Sequence, residues 1–161
     1  VREAAKTLKL KLKGAKVVLQ GFGNASTFAG EYLEKMGAVV VGVSDSKGSI
    51  LIPKGAKVSK ILEHKAKTGS VIGFTGSKKV STEELLTAKC DILIPGALEN
   101  QITAAIAKKL NCKIIGEAAN GPTLPEADPV IEKKKILVVP DILANSGGVC
   151  ISYLELSLIH I

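Results

Sequence analysis

Two glycines separated by one residue follow a short apolar run and are the clearest candidates for binding chemistry. Gly21 and Gly23 stand in "VVLQGFGNAS", and the next apolar run, "AVVVGVSD", ends on Asp45. Between a strand and a helix, the first glycine of such a pair makes the tight turn, the second lets the backbone approach a pyrophosphate, and the acid accepts a hydrogen bond from a ribose hydroxyl. A tight strand-to-helix turn without a ligand is the alternative, and the glycines alone do not decide between the two.

The residues around this motif predict a dinucleotide and leave its type open. Ser26 stands at the third glycine position of the GxGxxG fingerprint, where a small residue allows close helix–strand packing. We therefore expect the serine to displace the helix slightly and not to abolish the site. Asp45 favours a free 2′-hydroxyl and therefore NAD. Lys47 and the hydroxyls of Ser44 and Ser46 instead favour a 2′-phosphate. The expected cofactor is NAD or NADP.

Five short apolar runs predict the strands that position the motif: residues 16–20, 38–43, 91–95, 112–116 and 135–140. They are nearly continuous and rich in β-branched residues, which is typical of parallel strands covered on both faces. Helical patterns lie between them, so strands and helices alternate. This alternation predicts an α/β, Rossmann-like, doubly wound and mainly parallel sheet with helices on both faces.

Helix signals support this organisation. Residues 24–36 carry an apolar stripe at spacings of three and four, followed by Gly37 at the expected helix end; the stripe consists of Ala25, Phe28, Ala29, Tyr32, Leu33 and Met36. Capping boxes are predicted in "STEE" at 81–84 and in "TLPE" at 123–126, and a further helix at 101–110. Segment 44–80 is rich in glycine and predicts a loop-rich insertion around a short helix near 58–66.

Composition excludes several classes of protein. The net charge is +7 over 161 residues, but aromatic residues make up only 3%, so stacking platforms for single-stranded nucleic acid are scarce and we expect no nucleic-acid partner. No apolar run reaches the length of a membrane span, and the N-terminus lacks a secretory signal. The sequence begins with Val rather than Met, which favours a piece of a longer protein.

Cysteine and histidine patterns argue against a metal site. Cys90, Cys112 and Cys150 are far apart and form no CxxC pair, so we expect buried or half-buried thiols in a reducing cytoplasm. His64 and His160 have no acid or cysteine at ligand spacing, and we assign them no chemical role. The expected metal content is none.

Polar turns after four of the predicted strands are expected to meet at one edge of the sheet. They are residues 44–48, 95–102, 116–128 and 140–155. Ligands of open parallel sheets lie beyond the carboxyl ends of the strands. The side-chain amides of Asn100, Asn120 and Asn145 would then stand at that edge. Loop capping is the alternative role for each of them.

The order of these strings resembles the glutamate dehydrogenase family. The resemblance covers residues 1–155 and rests on "REAAKTL", "QGFGNAS", "SDSKG", "ILIPGALENQI", "EAANGPTLPEAD" and "VVPDILANSGGV" followed by "ISYLE". It implies an NAD(P)-binding domain at 1–155 of an enzyme that interconverts L-glutamate and 2-oxoglutarate plus ammonia by hydride transfer. Residues 156–161 depart from the family and form an atypical tail.

The resemblance also implies roles for individual residues. The pyrophosphate is expected at Gly21, Phe22, Gly23, Asn24 and Ala25, and the adenosine ribose at Ser44, Asp45 and Ser46, beside the Lys47 that the residues themselves suggest. The nicotinamide ribose is expected beside Ala97, Asn100, Ala119, Asn120 and Gly121, and the nicotinamide near Asn145. Val149 and Ser152 are expected to shape the substrate-binding pocket for the side-chain carboxylate of glutamate.

The family's catalytic lysine and aspartate lie in a preceding N-terminal domain that this sequence does not contain. We therefore assign no catalytic residue and expect the isolated chain to be inactive. The expected partners are the missing domain and further copies of the full-length protein in a hexamer, in the cytoplasm or an organelle matrix. The alternatives are a domain of another amino-acid dehydrogenase, or a non-catalytic dinucleotide-binding module. A nucleic-acid binder that acts through its basic charge is a further alternative.

Overall fold

A seven-stranded mixed sheet lies at the centre of the computed structural model, which describes residues 1–159; His160 therefore lies outside the described residues. The strands are β1 Lys16–Gln20, β2 Val39–Asp45, β3 Gly48–Ala56, β4 Lys78–Val80, β5 Ile92–Pro95, β6 Ile114–Gly116 and β7 Leu137–Val139. The helices are α1 Arg2–Thr7, α2 Asn24–Lys35, α3 Val58–Thr68, α4 Thr82–Leu86, α5 Ala104–Lys109, α6 Asp128–Lys133, α7 Asp141–Ala144 and α8 Ser146–Ile159. A 3-10 turn at Pro125–Ala127 precedes α6.

The strand order is β4-β3-β2-β1-β5-β6-β7. From β1 the chain builds outward through β2, β3 and β4 on one side, and then returns to add β5, β6 and β7 on the other. Strands β2, β1, β5, β6 and β7 are parallel, which confirms the five predicted strands and the mainly parallel sheet. The direction of winding changes between β1 and β5, which creates a crevice at their carboxyl ends.

Both faces of the sheet are covered, as the continuous apolar runs predict. In β1, the side chains of Val17 and Leu19 join one apolar cluster, and Val18 joins a second cluster on the opposite face. All three are fully buried. Burying an aliphatic side chain of this size contributes about 1.5–3 kcal/mol, so both faces help to hold the central strand in place.

The prediction of a loop-rich insertion at 44–80 is partly wrong. The helix near 58–66 is confirmed as α3, but β3 and β4 add two antiparallel strands to the sheet edge. A two-residue turn joins β2 to β3, because Asp45 pairs with Gly48 across the hairpin. The run "SILI" that follows is a strand signal. Of the glycines that suggest loops, Gly69, Gly73 and Gly76 lie at positive φ outside the strands, whereas Gly48 and Gly55 lie within β3.

Only part of the predicted apolar stripe of α2 faces the sheet. Leu33 is buried against the sheet, but Phe28 and Tyr32 are 59% and 63% exposed. The small residues Ser26 and Gly30 instead face the sheet, because α2 lies so close to it that a Cβ on Gly30 would stand 2.7 Å from a methyl of Leu19. Gly37, at φ +90°, follows the helix end as predicted.

The two predicted capping boxes have opposite outcomes. Ser81 and Glu84 form a complete box at the start of α4. Thr123 forms none, because it pairs with Ile102 in an isolated parallel bridge before the 3-10 turn. The same bridge takes Ile102 out of the predicted helix at 101–110, and α5 begins only after Thr103, whose hydroxyl accepts the N–H of Ile106.

Two kinds of feature are absent from the described residues. No helix within residues 1–159 is long and apolar enough to cross a membrane. In the same part of the chain, no group of three or more His, Cys, Asp or Glu side chains could hold a metal ion.

Candidate functional site

A cleft of about 520 Å³ opens at the carboxyl ends of β1, β2 and β5, where the winding changes direction. This volume lies within the range of small-molecule sites. The cleft is lined by Gln20, Gly21, Phe22, Gly23, Ser44, Asp45, Ser46, Lys65, Thr82, Gly96, Ala97, Leu98 and Gln101. The glycine loop, the turn after β2 and the loop after β5 therefore meet as the sequence predicts.

Gly21 makes the tight turn out of β1. Its φ is +84°, a conformation that favours glycine, and a Cβ at this position would stand 2.7 and 2.8 Å from backbone atoms of Ala97. The Gly21 N–H donates to the Ser44 hydroxyl at 2.9 Å. Gly21 therefore allows the glycine loop and the loop after β5 to touch.

Gly23 lies at the start of α2 with its Cα facing open space. A Cβ there would meet nothing within 4 Å in the described part of the chain. Gly23 is the N-cap of the twelve-residue α2, and no side chain among residues 1–157 caps this end. The first-turn N–H groups and the helix dipole can therefore receive an anion such as a pyrophosphate.

Ser44 holds the glycine loop through two hydrogen bonds. Its hydroxyl accepts the Gly21 N–H, and its carbonyl accepts the Phe22 N–H at 2.6 Å. The side chain is only 5% exposed. Ser44 thus holds the shape of the loop, which is a different contribution from the ribose contact that the resemblance implies.

Asp45 is engaged by groups of the chain itself. One carboxylate oxygen accepts the N–H groups of Lys47 and Gly48 and the hydroxyl of Ser70, and the other accepts the Val71 N–H at 2.6 Å. Burial alone would raise the pKa of Asp45. These hydrogen bonds and the nearby Lys65 ammonium outweigh burial and hold the pKa below its ordinary value.

We expect Asp45→Asn to destabilise the fold by about 1–2 kcal/mol at pH 7, since charged hydrogen bonds are lost from a partly exposed group. The folded-state pKa is lowered, so the stabilisation is present above the unfolded-state pKa and is lost as pH falls through the folded-state value. The difference between wild type and variant should therefore shrink below about pH 4. Urea unfolding of both chains between pH 3 and 7 measures this difference; equal midpoints at pH 7 would contradict it.

Lys65 is a cleft residue that the sequence analysis does not identify. It projects from α3, and its ammonium donates to the Phe22 carbonyl at 2.7 Å and lies 5.9 Å from the centre of the Phe22 ring. It lines the cleft and also a second cavity of about 520 Å³ beside α2. No motif in the sequence marks Lys65, because only the packing of α3 beside the glycine loop brings it there.

Lys47 lies outside the cleft. Its ammonium stands close to Gly69 at the end of α3, where helix carbonyl groups attract a positive charge. Ser46 is exposed and lines the cleft. Among the lysines of the described chain, Lys65 rather than Lys47 lines the cleft.

A second group of predicted residues gathers beside the loop after β5. The Asn100 N–H donates to the Gly121 carbonyl at 2.9 Å, and Asn100 adopts a positive φ of 57°. The Asn145 amide donates to Asn120 Oδ1 at 2.6 Å, and the Gly121 N–H donates to Asp141 at 2.8 Å. The three asparagines therefore cap and join loops, and the exposed Asn120 and the half-buried Asn145 lie at the edge.

The remaining predicted residues lie around these two groups. Asn24 and Ala25 are exposed in the first turn of α2, Ala119 is half-buried beside Asn120, and Val149 and Ser152 are exposed on α8. Val149 and Ser152 are one turn apart and share a helix face.

The thiols differ in burial, and His64 contacts neighbouring groups of the chain. Burial raises the pKa of Cys112 to about 12 and raises that of Cys90 further. Cys150 is exposed, so the expectation of three buried or half-buried cysteines is wrong for this one. His64 lies 3.0 Å from the Ile72 carbonyl and packs edge-on against Phe74.

The family model described as Glutamate/Leucine/Phenylalanine/Valine dehydrogenase matches residues 1–158. The chain is 48% identical over 154 residues to an NADP-specific glutamate dehydrogenase of Saccharolobus shibatae, covering 96% of this chain and 36% of the relative. It is 43% identical over 155 residues to an NAD-specific glutamate dehydrogenase of Staphylococcus aureus, covering 96% and 37%. The chain thus spans little more than a third of the length of these relatives.

Solved structures have the same fold. A hetero-hexameric glutamate dehydrogenase from Thermus thermophilus, in a leucine-bound form, superposes with a TM-score of 0.86 at 32% identity, covering 96% of this chain and 36% of that one. Glutamate dehydrogenase from Plasmodium falciparum gives a TM-score of 0.83 at 27% identity, covering 97% and 36%. The cleft, the fold and the match over nearly the whole sequence agree, and the chain belongs to the Glutamate/Leucine/Phenylalanine/Valine dehydrogenase family.

Proposed function

We propose that this chain is the coenzyme-binding part of an NAD(P)-dependent glutamate dehydrogenase. The observation that carries the proposal is the open space over Gly23 at the uncapped start of α2, within a cleft at the switch point of the sheet. A dinucleotide fits there, because its pyrophosphate can approach the backbone and accept the first-turn N–H groups. Relatives named as NADP-specific and NAD-specific glutamate dehydrogenases support the choice of glutamate.

Each part of the chain has a defined task in this proposal. The start of α2 holds the pyrophosphate, and the turn at 44–46 with Lys65 borders the adenosine ribose. The loop after β5 and the amides of Asn120 and Asn145 border the nicotinamide end. Val149 and Ser152 on α8 would contact the side-chain carboxylate of the substrate. The coenzyme supplies hydride transfer when bound, and the protein orients it.

We expect the isolated chain to bind coenzyme and to show no turnover. Acid–base groups are needed for deamination, and we assign none to this chain. Fluorescence titration with NADH and NADPH measures binding, and a steady-state assay with glutamate and either oxidised coenzyme measures turnover. Rates well above a blank would contradict the expected inactivity. Absence of saturable binding by a chain that circular dichroism shows to be folded would contradict the proposed site.

We expect Lys65→Gln to weaken NADPH binding about tenfold and to change NADH binding by less than about threefold. A 2′-phosphate would stand near the Lys65 ammonium, and one charge-assisted hydrogen bond is worth about tenfold in affinity. The Asp45 carboxylate accepts the N–H groups of Val71 and Lys47. It therefore repels a 2′-phosphate less than a carboxylate without these hydrogen bonds would. Paired titrations with both coenzymes, using Lys47→Gln as the matched control, measure the effect. Equal losses of affinity for both coenzymes would show that Lys65 does not distinguish a 2′-phosphate from a 2′-hydroxyl.

A second candidate function is a non-catalytic dinucleotide-binding module, which the lack of an assigned catalytic residue favours. A longer transcript that encodes a preceding catalytic domain would exclude it. A domain of another amino-acid dehydrogenase is the third candidate, and activity of the full-length protein on leucine rather than glutamate would support it.

The full-length protein is proposed to form a hexamer with its catalytic domain, as the hexameric relative from Thermus thermophilus suggests. The three free thiols at Cys90, Cys112 and Cys150 are typical of a reducing compartment and support the cytoplasm or an organelle matrix.

A further inference from the structure

Ser26 and Gly96 are in contact at the base of the cleft. Ser26 occupies the third position of the glycine fingerprint, in the first turn of α2, and is 1% exposed. Its hydroxyl is buried and has no hydrogen-bond partner among the described residues. A Cβ added to Gly96, the first residue after β5, would overlap this hydroxyl oxygen.

The Ser26 hydroxyl is the main obstacle to a side chain at position 96. The other two atoms nearest to an added Cβ are the Ala118 Cβ and the Gln20 carbonyl oxygen, both at 3.3 Å. Shifts of a few tenths of an ångström relieve contacts of that kind. Gly96 also has no positive φ, so its backbone conformation is open to alanine. Among the nearest neighbours of position 96, the Ser26 hydroxyl is therefore the group that an alanine would have to displace.

This contact lies where two coenzyme-binding segments meet. The Gly96 N–H donates to the Gln20 carbonyl at 2.8 Å, immediately before the glycine loop. The next residue, Ala97, packs on the Cα of Gly21 and lines the cleft. Any movement that relieves a clash at position 96 would therefore displace the loop after β5 relative to the glycine loop.

We propose that Ser26 and Gly96 are a coupled pair of positioning residues. The space that Gly96 leaves admits a serine at the third fingerprint position, and together the two residues set the spacing between the glycine loop and the loop after β5. The pair explains how the chain departs from the fingerprint without losing the cleft. Its effect on coenzyme affinity rests on the proposed function, whereas the steric coupling itself does not.

A double-mutant cycle tests the pair, with Ser26→Ala, Gly96→Ala and the double variant. Alanine keeps the Cβ of residue 26 and removes only the hydroxyl, so it vacates the space that a Cβ at position 96 needs. Gly147→Ala serves as the control for adding a Cβ, since nothing in the described chain lies within 4 Å of that position. The readouts are the NADPH dissociation constant from fluorescence and the urea midpoint from circular dichroism.

We expect Gly96→Ala alone to weaken NADPH binding by about tenfold or more, and Ser26→Ala alone to change it by less than about threefold. The double variant should return to within about threefold of wild type, and the urea midpoints should follow the same pattern. A double variant as weak as the product of the two single changes would overturn the proposal. Rescue is decisive because loss of packing in general would make the double variant worse.

The two readouts separate the pair from the proposed function. If the wild-type chain binds no coenzyme, the proposed function fails, and the urea midpoints still test the coupling. If Gly96→Ala does not fold, recovery of folding in the double variant supports the pair, and failure of both variants to fold overturns it.

Discussion

Replacing Gly23 with valine is expected to abolish saturable coenzyme binding and to leave the chain folded. A Cβ on Gly23 meets no atom of the described chain within 4 Å, so there is open space for a side chain at this position. The methyl groups of valine would occupy the space over the start of α2, where the pyrophosphate must approach the backbone. The backbone φ of −93° is open to valine. The only stability cost is a poorer N-cap, of about 1 kcal/mol or less.

The expected loss of affinity is at least about 100-fold for both NADH and NADPH, because the pyrophosphate is common to them. Gly23→Ala serves as the graded control and should show a smaller loss. Fluorescence titration gives the dissociation constants, and urea unfolding followed by circular dichroism gives the stability. Retention of binding within about threefold of wild type would show that the glycine loop is only a turn.

Gly21→Ala is expected to lower the stability of the fold strongly, whereas Gly23→Val mainly lowers coenzyme affinity. A Cβ there would stand 2.7 and 2.8 Å from backbone atoms of Ala97, and a backbone cannot rotate away as a side chain can. The residue also has a φ of +84°, which costs alanine about 1–2 kcal/mol by itself. Together these effects should lower the free energy of unfolding by about 3 kcal/mol or more.

Gly14→Ala is the matched control for this prediction. Gly14 has nearly the same φ, +80°, and an added Cβ would meet nothing within 4 Å in the described chain. It therefore measures conformational strain without the clash. Urea unfolding gives the free energy of unfolding of both variants, and the two values should differ by the contribution of the Ala97 contact. Equal destabilisation would mean that the two loops move apart freely, and the close approach of Gly21 to Ala97 would then have no energetic weight.

These two glycines show how far local sequence carries a functional prediction. The motif and its place between β1 and α2 predict that both residues serve a phosphate-binding turn. That pattern assigns the tight turn to Gly21 and the backbone approach to the pyrophosphate to Gly23. The approach of Ala97, which lies some seventy-five residues along the chain, adds a packing role for Gly21 that the pattern does not contain, and long-range pairing of β1 with β5 creates that approach.

Asp45 and Lys47 show where local inference is incomplete. Their positions after β2 predict competing contacts with the adenosine ribose. The structure engages the Asp45 carboxylate with Ser70 and Val71 and directs the Lys47 ammonium to the end of α3. Both partners come from a segment whose fold the sequence pattern describes only as a loop-rich insertion. Side-chain direction in a turn depends on which distant donors pack beside it.

The sequence by itself determined the five parallel strands, the glycine loop, the helix that follows it and the family to which the chain belongs. The strands, the loop and the helix rest on apolar periodicity and turn chemistry, which are local properties of neighbouring residues, and the family rests on the order of the strings that resemble it. Tertiary structure alone decided that Lys65 enters the cleft, that Phe28 faces solvent and that Ser26 meets Gly96. The physical reason is that each of these features depends on how elements far apart in the chain pack together, and only the packing of α2, α3 and the loop after β5 against the sheet fixes it.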